Sequence, residues 1–415
     1  MHTRRFFLRN SALAMVGAGA APLWLERALY AADAPSPRKK ILVAIFQRGA
    51  ADGLNIVVPH GEKSYYEMRP TIAVPRPSAA ETANAAIDLD GFFGLHPALA
   101  PLKPVWDDGH LAIVHAAGSP DPTRSHFDAQ DFMEAGTPGL KATTDGWMNR
   151  ALSPAKPADH GSPVRAIALD STLPRVLRGA NSAVAIQNLR DFQVRNAGAL
   201  GAFQSLYADT HDTALHALGT ETFEAMALLQ SIQKQHYEPA AGARYPGGRF
   251  GDCLRQIAQL IKAEVGVEMA FADVGGWDHH VNEVGALASE GQLAARLTEF
   301  GQALAAFWAD LDDRCDDVSL VTMSEFGRTA RENGGRGTDH GHANCMFVMG
   351  GGVRGGRVYG KWPGLAPEQL YESRDLALTT DFRDVLAELV KGQSGNEDLT
   401  KVFPHYSPKP IGLLS

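Results

Sequence analysis

Short, mainly apolar runs separated by polar, glycine-rich stretches set the rhythm of this chain. Residues 41–46 follow Lys39 and Lys40 without a polar break. They read as a buried strand, because a strand covered on both faces shows no alternation. Residues 111–115, 164–168, 183–186, 318–323 and 344–349 repeat the pattern. Helical spacing falls between these runs. Leu293, Leu297, Phe300, Leu304, Phe307 and Leu311 recur at steps of 4, 3, 4, 3 and 4, which predicts an amphipathic helix. Residues 252–262 place Leu254, Ile257 and Ile261 on one helical face. Residues 203–235 are largely helix-forming, and 95–106 predict a short helix. The proline- and aromatic-rich stretch 65–79 predicts a surface loop. Thr380 or Asp381 is placed to cap a helix running to Val390. Gly350 to Gly356 lack the Lys-Ser/Thr ending of a phosphate loop and predict a lip or tight turn. Alternating strands and helices predict an α/β fold with a mainly parallel sheet, in one domain over residues 35–415.

Polar clusters follow the apolar runs, at 47–55, 117–131, 275–282 and 324–342. In open α/β sheets, ligands bind at the carboxyl edge of the strands, so these loops are expected to gather there. The densest cluster holds Asp339, His340 and His342 within four residues. Asp278 and His280 share a glycine-opened loop with His279. Asp52 follows the first strand, as a ligand or as a turn or cap residue. Ser125 and Asp128 have capping-box spacing, so Ser125 is either a helix cap or a nucleophile held at a helix N-terminus. His126 and Asp131 are further candidates in that patch. Arg124 either meets an oxyanion or pairs with Asp121 or Asp128. Glu325 and Arg328 are site residues or a mutual salt bridge. Carboxylate and imidazole without thiolate suit zinc, manganese or iron. One or two such ions would activate a nucleophile and steady a leaving oxygen, with Arg328 or Arg124 on a phosphoryl or sulfuryl group.

Charge narrows the partners. The net charge is −8; the first 34 residues hold four arginines and two acids, a local +2, which leaves −10 on the rest. An acidic body repels a phosphate backbone and argues against nucleic acid as the main partner. The three cysteines, Cys253, Cys315 and Cys345, are too scattered for a zinc knuckle or a disulfide scaffold. They read as buried free thiols.

The N-terminus reads as an address. Arg4-Arg5-Phe6-Phe7-Leu8 precedes a modest apolar run, and Ala32-Asp33-Ala34 offers a small-x-small cleavage site. Together they resemble a twin-arginine export signal over residues 1–34, which places the mature chain in the periplasm without stable membrane insertion.

The clusters also carry a family resemblance. Gln47-Arg48-Gly49-Ala50-Ala51-Asp52-Gly53-Leu54, Arg124-Ser125-His126-Phe127-Asp128-Ala129-Gln130-Asp131 and Gly275-Gly276-Trp277-Asp278-His279-His280 belong to it. So do Ser324-Glu325-Phe326-Gly327-Arg328-Thr329, Gly337-Thr338-Asp339-His340-Gly341-His342 and Val358-Tyr359-Gly360. Over nearly the whole chain they resemble the DUF1501 family of exported bacterial proteins, grouped with the alkaline phosphatase-like superfamily. That resemblance implies a three-layer α/β/α sandwich and a metal-dependent hydrolase of phosphate or sulfate esters. It implies zinc or manganese on Asp52, Asp339 and His340, with Asp278, His280 and His342 as nearest matches to a second site. Ser125, Thr123 or a water would be the nucleophile. Asn282 stands where the superfamily's second histidine would follow Asp278, and no sulfatase signature surrounds Ser125. A non-catalytic partner of an exported DUF1800 protein, and a lyase or transferase on the same scaffold, are the competing readings.

Overall fold

The computed structural model describes residues 38–80, 83–152, 162–189, 207 and 213–414. The leader read at 1–34 lies outside the described residues. The chain divides into two compact units. One comprises residues 1–39 and 196–227; its described part is chiefly the start of helix α4 (Thr213–Gln233). The other, 40–195 with 228–415, carries the sheet and the polar clusters.

The strands of the main sheet are β1 (Ile41–Gln47), β5 (Leu111–Gly118), β6 (Ala166–Ala168), β7 (Val184–Ala185), β8 (Met269–Val274), β9 (Val318–Ser324), β10 (Asn344–Gly350), β11 (Arg357–Tyr359) and β12 (Thr380–Asp381). Their order is β11-β5-β10-β9-β1-β8-β6-β7, with β12 also on β5. A small second sheet joins β2 (Val57–Val58), β3 (Ile87–Asp88) and β4 (Gly94–Leu95). The centre is parallel: β1 pairs in parallel with both β8 and β9. β10 breaks the pattern, running antiparallel to β5 and β9. Every residue of β1, β5, β9 and β10 is buried, which explains why apolar residues dominate them without strict alternation.

Side chains alternate between the two faces of the sheet. Leu42, Ala44 and Phe46 share one core with Val114, Val321, Met323 and Met346. Helix α3 (Trp147–Ala151) and helix α7 (Phe382–Ser394) cover that face through Trp147, Met148, Phe382, Val385 and Leu389. Phe347 has the opposite parity and meets Phe300 of helix α6 (Gln292–Leu311) at 6.4 Å between ring centroids. Phe300 also stacks on Phe250 of helix α5 (Arg249–Lys262) at 5.7 Å. The result is a mixed α/β architecture, a largely parallel sheet with helices on its flanks. Asp381 caps α7 by accepting from the Arg383 N–H, as its sequence position predicted.

The stretch read as a surface loop from residue 65 is a correction. Helix α1 (Lys63–Met68) begins there, and Tyr65 is fully buried. Its hydroxyl donates to Asn55 Oδ1 at 2.6 Å, which satisfies the phenol in the core. The glycines from Gly350 sit at the far edge of the sheet from the polar clusters, since Gly350 pairs with Ser319 at the start of β9. Cys253 and Cys345 are buried free thiols, and Cys315 is half-buried and free. Among the described residues no helix is long and apolar enough to cross a membrane.

Phe300 ties the helical layer to the sheet and to Trp277, whose ring it meets at 5.5 Å. Phe300→Ala is expected to lower stability by about 3–5 kcal/mol. Urea unfolding followed by circular dichroism measures it.

Candidate metal centre

Four loops meet at one edge because of strand direction. Gln47 pairs with Val274 and with Ser324, so the loops after β1, β8 and β9 start at the same level. Ala117, near the end of β5, pairs with Asn344 at the start of β10. The antiparallel β10 therefore brings the residues before it, Asp339 to His342, to the edge where parallel strands deliver the residues after them.

Close backbone contact explains two of the glycines. Gly327 N–H donates to the His342 carbonyl at 2.8 Å, and Gly341 N–H donates to the Gly327 carbonyl at 2.8 Å. A Cβ on Gly327 would collide with the Ala343 carbonyl, and one on Gly341 with the Arg328 backbone. Both segments need glycine to lie side by side.

Arg328 holds these loops together. Its side chain is fully buried. Nε donates to the Ala50 carbonyl at 2.6 Å, Nη1 to Thr338 O at 3.0 Å, and Nη2 to Gly49 O at 2.7 Å and Trp277 O at 3.0 Å. Nη2 also meets Asp278 Oδ1 at 2.5 Å. The guanidinium is spent on protein oxygens. This corrects its expected role as an anion clamp and the alternative pairing with Glu325.

His126, Asp278 and His340 form the cluster, with donor atoms all within 4.8 Å of one another. His126 Nε2 lies 3.0 Å from His340 Nε2. His280 Nε2 lies 3.1 Å from His340 Nε2 and 3.0 Å from Asp278 Oδ1. Asp278 Oδ1 lies 3.2 Å from His340 Nε2. The far side of each ring meets oxygen: His126 Nδ1 faces Glu325 Oε1 at 2.8 Å, His340 Nδ1 the Arg124 carbonyl at 2.9 Å, and His280 Nδ1 Asp339 Oδ1 at 3.2 Å. An oxygen acceptor keeps the proton on Nδ1 and leaves the Nε2 lone pair free. With all three rings in that tautomer, three lone pairs and the Asp278 carboxylate point at one another. A single proton relieves one such contact, whereas a central cation relieves all of them. Zinc–nitrogen bonds of ~2.0–2.1 Å set tetrahedral ligand atoms ~3.3 Å apart, close to the spacing here.

The surroundings keep the carboxylates of the cluster ionised. Burial works against the Asp278 carboxylate, but Arg328 and the neighbouring imidazoles hold its pKa below the usual range. Burial also opposes ionisation of Glu325, yet bonds from His126, Gln130 and Gly49 keep its pKa low. Glu325 in turn raises the pKa of His126. Burial lowers that of His340.

Other expected residues lie apart from the cluster. Asp52 is buried and paired with Arg69, whose Nη2 donates to Oδ1 at 2.9 Å while Nη1 meets Oδ2. It is an internal ion pair, with both carboxylate oxygens committed to the guanidinium. His342 is buried with its ring stacked on Tyr371 at 4.2 Å. Asp339 supports His280 and accepts from Asn333 Nδ2 at 3.1 Å. Ser125 Oγ accepts from the Asp128 N–H at the start of helix α2 (His126–Ala135), the capping role. Arg124 Nη2 pairs with Glu372 at 2.6 Å and Asp375 at 2.7 Å, instead of with Asp121 or Asp128. Asp131 pairs with Arg175. His126 is central here, although the sequence made it only a further candidate. Its signal was its place at the head of the helix that follows a buried strand and a short loop.

Fold and cluster together define an α/β protein with a candidate divalent-metal centre at the carboxyl edge of its sheet. Residues 39–401 match the family described as "Protein of unknown function (DUF1501)", and the chain belongs to that family. It is similar to the C-terminal periplasmic domain of EcEptC from Escherichia coli, solved in complex with Zn. The identity is 11% over 76% of this chain and 73% of that one, with a TM-score of 0.34. Comparison with curated proteins finds no match.

Glu283, fully buried beside Asp52, bonds Thr338 Oγ1 at 2.9 Å and so joins the two loops carrying His280 and His340. Burial first, and the Asp52 charge next, keep it protonated well above the usual carboxyl range. The unfolded chain releases this proton near pH ~4.3. Above that pH the folded state alone holds it, so stability falls as pH rises. Asp52 acts in the opposite sense: held ionised by Arg69 against burial, it contributes stability that is lost as pH falls through its lowered pKa. Glu283→Gln is expected to flatten the decline above about pH 5 and to exceed the wild type at neutral pH. Urea midpoints across that range test this.

Proposed function

We propose that the chain is a metal-dependent hydrolase acting on small anionic esters, of phosphate or sulfate, in the periplasm. One divalent transition metal, zinc or manganese, is held by His126, Asp278 and His340, with His280 as a fourth donor. The observation that carries this reading is the convergence of three imidazole Nε2 lone pairs on Asp278, each ring anchored through Nδ1. A bound divalent ion supplies Lewis acidity toward an ester oxygen and lowers the pKa of water. Glu325 fixes the ring of His126, Asp339 that of His280, and the Arg124 carbonyl that of His340. Arg328 keeps Asp278 ionised and aimed inward. The commitment of Asp52 to Arg69 and of His342 to Tyr371 supports one ion instead of two.

A second reading, a metal- or ligand-binding protein without turnover, is favoured by Ser125. Its hydroxyl caps α2, and no hydrogen bond links it to the cluster's imidazoles. Under the hydrolase reading with water as nucleophile, Ser125→Ala costs about 1 kcal/mol of stability and leaves turnover of a phosphate or sulfate ester in place.

Elemental analysis of the purified, folded chain tests the centre directly. Roughly one ion per chain is expected, lost in His340→Ala and retained in Asp52→Asn. Asp339→Ala is expected to weaken affinity by roughly 10–100-fold in a chelator competition, because His280 loses its anchor. A wild type free of metal after incubation with zinc and with manganese would sink the proposal.

A further inference from the structure

We infer that Arg124 is the subsite for the substrate's tetrahedral oxyanion, and that the Glu372 carboxylate is a built-in occupant which the anion displaces. The location rests on the metal-centre reading above. Arg124 precedes Ser125 and the ligand-bearing helix, and its carbonyl anchors the His340 ring at 2.9 Å. Arg328 is saturated by protein oxygens, which leaves Arg124 as the partly exposed guanidinium tied by its own backbone to the cluster.

The two carboxylates on Arg124 differ in kind. Asp375 is fully buried, at 2.7 Å from Nη2, and also lies 3.4 Å from Arg374. Its pair with Arg124 is part of the interior. Glu372 is half-exposed, at 2.6 Å from the same nitrogen. An ion pair this open to solvent is weak and is readily exchanged. A phosphate or sulfate group offers more charge and more acceptor oxygens to the same donor. With Glu372 in place the four charges of Arg124, Arg374, Asp375 and Glu372 cancel. With it removed, Arg124, Arg374 and Asp375 sum to +1, beside the Asp121 carboxylate.

The backbone conformation at residue 372 favours residues other than glutamate. Glu372 and Ser373 have φ of 52° and 53°, and the Arg374 N–H donates to the Tyr371 carbonyl at 3.1 Å. These are the marks of a type I′ turn, where Asn-Gly is the preferred pair. Glutamate in a left-handed position is strained, and such strain persists where another interaction holds it. Here the Tyr371 and Asp375 backbones hold the turn, exchanging N–H to carbonyl bonds at 2.9 and 3.0 Å, so the turn itself gives no reason for a glutamate at 372.

Inorganic phosphate is the probe, titrated calorimetrically into metal-loaded and metal-free protein. Glu372→Gln is expected to bind phosphate about fivefold more tightly than the wild type, as an exposed competing pair is removed. Glu372→Asn should do the same with an unchanged or higher Tm, because asparagine suits the turn. Arg124→Gln should lose the binding, with circular dichroism confirming that it is folded. Equal phosphate affinity in the wild type and both Glu372 variants overturns the inference. So does a lowered Tm without tighter binding, which would make Glu372 a structural pin. Metal content is measured on the same samples. Tighter phosphate binding without metal leaves this subsite standing while the metal centre falls; normal metal content with unchanged phosphate affinity does the reverse.

Discussion

One guanidinium decides whether the edge of this sheet is a site or a set of loops. Arg328 leaves β9 and turns inward, where four carbonyls from three other segments surround it: Gly49 and Ala50, Trp277, and Thr338. Each carbonyl lies in an irregular segment with no ladder partner to satisfy it, and an unpaired buried carbonyl is costly. The planar fork of arginine meets several at once, which a lysine ammonium cannot reproduce. The same nitrogen that holds Gly49 and Trp277 reaches Asp278. The fold of the loops and the aim of the cluster's carboxylate are thus one interaction, and neither can be altered without the other.

A second constraint is topological. A purely parallel sheet offers only the residues that follow strands to its carboxyl edge. Reversing β10 adds those that precede a strand, and this is how His340 reaches His126, which follows β5, and His280, which follows β8. The close antiparallel run of Arg328 against His340 makes the join, and Gly327 and Gly341 permit it. The glycines in the two motifs are therefore about backbone distance, and the polar residues between them about the cluster.

Much of this was legible in the chain. Buried strands declare themselves as short, mainly apolar runs, so β1, β5, β9 and β10 were visible within a few residues. Helix α6 was visible from its spacing, and α7 from its cap. Tyr65 was misread because an aromatic beside prolines resembles a loop, and only its bond to Asn55 shows the phenol is at home in the core. Asp278, His280 and His340 were legible as a chemistry-bearing set. His126 was underweighted because a histidine after a serine at a helix start looks like a capping region. Asp52 was overweighted for a related reason. Sequence shows that a carboxylate follows a strand, but its partner Arg69 lies 17 residues on, in an element the pattern did not reveal. Pairings across such gaps decide which polar residues remain free to bind anything.

That last point bears on the energetics of the cluster. Asp52 with Arg69, and Arg328 with its carbonyls, are polar groups whose needs are met within the protein. The Nε2 atoms of His126, His280 and His340 are not in that position: their Nδ1 partners are satisfied, and their lone pairs face one another. Replacing any of these rings by an apolar side chain would remove that mutual repulsion. A chain selected for stability alone has no reason to assemble three anchored imidazoles around a carboxylate. Local conflict of this kind, concentrated on one carboxylate and three rings, is the pattern expected where stability is traded for a ligand. The anchors at Glu325, Asp339 and the Arg124 carbonyl reinforce the argument, since they spend further buried polar groups on keeping the lone pairs turned inward.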